Sequence, residues 1–229
     1  MISELFQLFR GEIEFLDFII QLGAICFVVF CATPLHEYAH ALIATKLGDD
    51  TARSSGRLTI DPKAHIDPIG ALMIFLFGFG YAKPVPVRMR NLKKPKRDMA
   101  LVALAGPVSN LIQAFVFMFL NSACSYIGVV SENMIADYMG TFFFFASVIN
   151  VNLAVFNLLP IPPLDGSRLA TALLPSKYYF KVMQYERYIQ IGVFLLLFTG
   201  VLTKPLSYLS AFVTGIFMAV TSWPFTLLI

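Results

Sequence analysis

Residues 36–40 read His36-Glu37-Tyr38-Ala39-His40, an H-E-x-x-H pattern inside an apolar run, residues 35–47, that holds no helix breaker. On a helix of 3.6 residues per turn, His36 and His40 leave one face a turn apart. Two imidazoles so placed can grip one tetrahedral zinc ion. Glu37 lies a third of a turn round from His36, where it can reach a water beside the ion without ligating the ion. Zinc makes such a water nucleophilic at neutral pH, and a carboxylate can take its proton. The chemistry on offer is hydrolysis. Pro34, two residues upstream, removes a backbone bond to Phe30 and is expected to bend or open the helix just before the ligands, unless it is simply one of the prolines common in membrane helices.

The elements that carry this motif belong to a membrane. The chain has 229 residues, 58% hydrophobic and 14% charged, with 23 Phe. Ordinary globular chains are about 45–50% apolar and about 25% charged. The N-terminal stretch, with Glu4, Arg10 and Glu12 and no small-residue cleavage pattern, does not read as a removable signal. Cys26, Cys31 and Cys124 are scattered through apolar runs without C-x-x-C spacing, which argues against a disulfide framework and against a cysteine zinc site. No basic residues interleave with aromatics in the manner of a nucleic-acid binder.

Runs long enough to cross a bilayer, which takes about 20 residues, cover residues 15–47, 99–127, 138–159, 189–201 with its flanks, and 206–229. Residues 69–81 hold three glycines between Pro68 and Pro84 and read as a re-entrant or interfacial segment. The connection 46–97 is rich in Lys and Arg, as is 166–187, whereas the loop 121–137 has neither. By the positive-inside rule the first two face the cytosol and the third faces outward. His40 and His36 then lie roughly 9–15 Å below the cytosolic interface, at 1.5 Å of rise per residue from Lys46. Alternation in Gly56-Arg57-Leu58-Thr59-Ile60-Asp61 and the rigid Lys83-Pro84-Val85-Pro86-Val87-Arg88 suggest a small membrane-associated β-sheet. Asp61 and Asp67, each before a proline, read as turn residues. The expectation is an all-α integral membrane fold of five to six transmembrane helices, with that sheet and the re-entrant segment around residues 56–88. It forms one polytopic domain over 1–229, with a catalytic core at about 15–175 and C-terminal helices at about 185–229.

A catalytic zinc takes three protein ligands and keeps one position open. The candidates for the third are His65, Asp61, Asp67, Asp137, Asp165 and Glu186. Asp137 is on the outer side by the topology above. Asp165 ends Asn157-Leu158-Leu159-Pro160-Ile161-Pro162-Pro163-Leu164-Asp165-Gly166, where prolines break an aromatic-rich span. Non-helical backbone at membrane depth is tolerated where it is buried in protein or lines a wet cavity, so this stretch should line the site with Asp165 facing the metal. The competing reading makes Asp165 the cap of a short helix. Asn157 could donate to an oxyanion formed on a peptide carbonyl, or it could satisfy carbonyls freed where the helix ends. His65, alone in a basic loop, reads as structural or solvated.

The chain resembles the site-2 protease family of intramembrane zinc metalloproteases, in a short form. The resemblance rests on His36 and His40 and on Phe156-Asn157-Leu158-Leu159-Pro160 running into Leu164-Asp165-Gly166. It extends to Gly56-Arg57-Leu58-Thr59, His65-Ile66-Asp67-Pro68-Ile69-Gly70, Ala82-Lys83-Pro84-Val85-Pro86-Val87 and Ala103-Leu104-Ala105-Gly106-Pro107-Val108-Ser109-Asn110. It implies that His36, His40 and Asp165 are zinc ligands, Glu37 the catalytic carboxylate and Asn157 an accessory polar group. It also implies cleavage of a single-pass membrane substrate within or near the bilayer. PDZ insertions and appended regulatory domains, found in many relatives, are not expected here. In the second span, Gly106-Pro107 and Ser109-Asn110 are expected to serve close packing and bonding across helices.

Two functions compete on these residues. A protease would cut a locally unwound transmembrane substrate in the cell membrane, its site near the cytosolic side. A metal permease would use the same His and Asp residues as a transit site. Glu37 favours the protease, because hydrolysis needs it and metal binding does not.

Overall fold

The first apolar run starts where Glu14, extended at φ −75° and ψ 150°, gives way to helix α1, Phe15–Phe27. A π turn, Val28–Ala32, joins it to helix α2, Thr33–Lys46. The structure, a computed structural model, describes residues 8–77, 82–173 and 184–228. Pro34 sits in the first turn of α2, directly after the π turn, and has no N–H to give to the Phe30 carbonyl. The expected opening of the helix lies just upstream: the Thr33 N–H reaches back five residues to the Val28 carbonyl, and the Thr33 hydroxyl donates to the same oxygen at 3.2 Å. Gly48 ends α2 in a left-handed conformation, φ +107°.

Beyond that end, the fully buried Asp49 accepts bonds from the Thr51 N–H (3.1 Å), the Arg88 N–H (2.6 Å) and the Asn91 amide (2.8 Å). Burial alone would raise the Asp49 carboxyl pKa; these donors outweigh it and hold the group below the usual carboxylate range. Short helices α3, Thr51–Ser54, and α4, Pro62–His65, follow, then α5, Pro68–Phe77. Asp61 caps α4 through the Lys63 N–H, and Asp67 caps α5 through the N–H groups of Ile69 and Gly70. Both aspartates are the turn residues expected of them.

The anticipated β-sheet does not form among the described residues. Its hydrogen-bonding groups are used inside the loop instead. The Thr59 hydroxyl takes the Asp61 N–H and the Thr59 carbonyl takes His65 Nε2 at 2.8 Å. Residues 57 and 83 meet through one bond, Arg57 Nη1 to the Lys83 carbonyl, while the Lys83 N–H goes to the His65 carbonyl. Pro84 and Pro86 have no donor to extend a ladder. The segment expected to re-enter the membrane begins as α5, and residues 78–81 lie outside the described ones.

Helix α6, Pro95–Ser131, is 37 residues long, and helix α7, Met134–Asn157, runs back along it. The Asp98 carboxylate caps the start of α6 by accepting the Lys94 N–H at 2.8 Å. The outer loop read from the sequence at 121–137 shrinks to Glu132 and Asn133, because nothing between Asn121 and Ser131 stops a helix. Asn133 caps α7 through Ile135 and Ala136. Gly128 lies so close to Asp137 that a Cβ there would collide with the carboxylate. The hairpin is tied by the Asn121 amide to the Gly140 carbonyl (2.9 Å) and the Ser147 hydroxyl to the Ala114 carbonyl (2.8 Å).

Among the described residues three more helices follow: α8, Asp165–Leu173; α9, Glu186–Phe198; and α10, Thr203–Thr226. The last packs on α6, with Ser122 and Thr221 hydroxyls 3.0 Å apart. Four helical stretches among the described residues are long and apolar enough to cross a membrane: Phe15–Lys46, Pro95–Ser131, Met134–Asn157 and Thr203–Thr226. The run expected to supply a fifth forms α9, whose 13 residues rise about 20 Å against a hydrocarbon core of about 30 Å. Polarity is arranged for lipid. Phe30, Val116, Phe119, Phe212 and Trp223 face outward, whereas His36, Glu37, His40, Asn110, Ser147 and Asn150 are buried inside.

Candidate metal centre

His36 and His40 project from one face of α2, their rings 4.7 Å apart and their Nε2 atoms 3.0 Å apart. Asp165 Oδ2 lies 3.3 Å from each of those nitrogens. A tetrahedral zinc with ligand bonds of about 2.0–2.1 Å has ligand-to-ligand edges of about 3.3 Å. The three separations fit that triangle. They form the one group of three or more metal-ligating side chains among the described residues.

The chemistry of the donor set agrees. His40 Nδ1 stands 2.7 Å from the Val102 carbonyl, which can only accept, so the ring proton belongs on Nδ1 and the lone pair on Nε2. A second imidazole nitrogen and a carboxylate oxygen are aimed at the same point. Electron pairs converging there suit a cation held between them.

Three elements set this geometry. The π turn and Pro34 precede the histidines, and α2 fixes their spacing. Gly106 on α6 leaves room for both rings, since a Cβ there would collide with His40 Nε2 and His36. Gly166 is pressed against the carbonyls of Leu158 and Leu159, so the start of α8 folds back on the end of α7 and carries Asp165 to the histidines. The sequence left Asp165 open between ligand and helix cap. It is the first residue of α8, with its carboxylate on the histidine pair.

Glu37, 9% exposed, lines the same cavity of about 450 Å³, and so does Asn157 at the end of α7. The lining also includes Pro84, Val85 and Val87 of the irregular 82–88 segment. His65 is buried away from the cluster, holding the loop through Thr59. Asp61 and Asp67 cap helices, and Asp137 sits against Gly128 at the far end of the hairpin. Glu186 opens α9, and its side chain lies outside the described residues. Sequence reasoning did not find the Val102 carbonyl, a backbone group that carries no residue signal. It gave Gly106 and Asn110 roles in close packing and in bonding across helices, without tying either to the metal site.

The sequence profile of peptidase family M50 matches residues 120–199. The chain is 46% identical over 164 residues to YwhC of Bacillus subtilis, by name a candidate zinc metalloprotease, covering 72% of this chain and 74% of that one. It is 33% identical over 138 residues to Rip2 of Mycolicibacterium smegmatis, of like name, covering 58% of this chain and 50% of that protein. With MJ0611 of Methanocaldococcus jannaschii, again so named, it shares 31% over 134 residues, 58% of this chain and 62% of the relative. No solved structure matches significantly.

Proposed function

The chain belongs to peptidase family M50 and is a multi-pass membrane zinc metalloprotease, and from that premise we propose that it cuts single-pass membrane proteins within or near the bilayer. The observation that carries this reading is the buried triangle of His36 Nε2, His40 Nε2 and Asp165 Oδ2 beside Glu37. His36, His40 and Asp165 would hold the ion. Zinc so bound supplies a Lewis acid and a water nucleophilic at neutral pH.

The remaining work falls to the chain. Glu37 takes the proton of the attacking water and delivers it to the departing amine nitrogen. The Asn157 amide donates to the substrate carbonyl oxygen as negative charge builds on it. The Val102 carbonyl keeps the His40 proton on Nδ1 throughout. A substrate helix hides its carbonyls in its own hydrogen bonds, so the scissile segment must unwind before it enters, and the wall formed by Pro84, Val85 and Val87 accommodates extended backbone. The cavity-lining residues run from Thr33 to Arg168, inside a catalytic core of about 15–175 in one domain. The basic connection that joins α2 to α6 supports an entrance at the cytosolic face of the cell membrane.

Purified protein loaded with zinc and given a single-span test substrate should release two fragments. A Glu37→Ala protein that cut at the wild-type rate would overturn the mechanism.

A further inference from the structure

We propose that Asn110 is a positioning residue for His36: its side-chain oxygen accepts the His36 Nδ1–H, directly or through one water, and holds Nε2 toward the metal. The proposal rests on His36 being a zinc ligand, as assigned above. Histidines that bind metals almost always donate their other ring N–H to a carbonyl, carboxylate or water, which fixes tautomer and orientation. His40 has such a partner in the Val102 carbonyl. His36 Nδ1 is buried and has none among the described residues. Asn110 Oδ1 is likewise buried without a partner, on a side chain 1% exposed that lines the metal cavity.

The register of the two helices brings these orphans together. Helix α6 runs antiparallel to α2, as three bonds show: His40 Nδ1 to Val102, Ser109 Oγ to the Leu35 carbonyl (3.4 Å) and Gln113 Nε2 to the Ala32 carbonyl (3.4 Å). His36 therefore lies at a level between Val102 and Ser109, and Asn110 is within about one turn of it. Asn110 is four residues beyond Gly106, on the face of α6 that cradles the imidazoles. Helical side chains lean toward their own N-terminus. In an antiparallel pair, His36 and Asn110 thus lean toward each other. The other buried side-chain oxygens without hydrogen-bond partners among the described residues, Thr45 Oγ1, Asp98 Oδ1, Gln113 Oε1 and Asn150 Oδ1, do not line the cavity.

Zinc affinity, measured on the full-length protein in detergent by competition with a fluorescent chelator, tests this without recourse to proteolysis. Asn110→Leu should weaken zinc binding about 10- to 100-fold. Asn110→Asp, which keeps an acceptor in the same place, should stay within about threefold of wild type, as should Asn150→Leu, which removes an equally buried amide elsewhere. Wild-type affinity in Asn110→Leu would overturn the proposal, and so would an equal loss in Asn150→Leu or Asn110→Asp. The chain has three histidines, so a 15N-histidine NMR spectrum needs no variant at all. The His36 Nδ1 proton of the zinc-loaded wild type should be protected from solvent exchange, and rapid exchange would refute the hydrogen bond. If wild-type protein failed to bind zinc, the ligand assignment would fall with it; tight wild-type binding unchanged by Asn110→Leu would sink this inference alone.

Discussion

Gly106 lies directly beneath His40, so close that a methyl group at its α-carbon would occupy the space of the imidazole Nε2. The position is defined by what it leaves empty. Gly106→Ala should displace both histidine rings. Overpacking of this kind costs typically about 1–3 kcal/mol of stability. Zinc content after purification should fall, read by atomic emission, with cleavage lost in proportion.

Substitution at Glu37 should separate binding from chemistry. Glu37→Gln keeps the size of the side chain and removes only its capacity to take a proton. Zinc content should remain at the wild-type level while cleavage falls about 10²- to 10⁴-fold, the usual worth of a general base. Parallel metal analysis and a substrate assay check it.

Asp165 should behave in the opposite way. Asp165→Asn keeps the shape but gives up the charge that faces two imidazole nitrogens at 3.3 Å. Zinc affinity should fall at least tenfold on the scale of one lost charge-assisted contact. Cleavage should recover in part with excess zinc, which Glu37→Gln cannot do.

Asp49 gives a pH-dependent prediction outside the membrane. Its carboxyl is held below the usual range in the folded protein by the donors from Thr51, Arg88 and Asn91. A depressed folded-state pKa means stability that is present above the unfolded value of about 3.9 and lost as pH falls through the folded one. Asp49→Asn should lower thermal stability at pH 7 by about 1–3 kcal/mol. The gap between variant and wild type should narrow as the pH is taken below about 4. Thermal unfolding across that range measures it.

Much of the site was legible because its parts carry chemical cost. Histidines and a glutamate in an apolar run are expensive unless used, and prolines at Pro160, Pro162 and Pro163 break a span that must then line something. Helix ends were harder to read. Asn121 and Gly128 look like loop residues in sequence, yet one ties the hairpin to Gly140 and the other makes room for Asp137. The expected sheet failed for a similar reason: alternation in 56–61 does not reveal that Thr59 is committed to Asp61 and His65. Nor does any residue type announce that the Val102 carbonyl orients His40.

The candidate ligands come from two elements far apart in the chain, α2 and, after the hairpin, α8. During synthesis the histidine pair therefore enters the membrane long before Asp165 exists. A half-made chain would hold two of the three candidate ligands. The metal triangle should therefore assemble only once α8 has folded back on the end of α7.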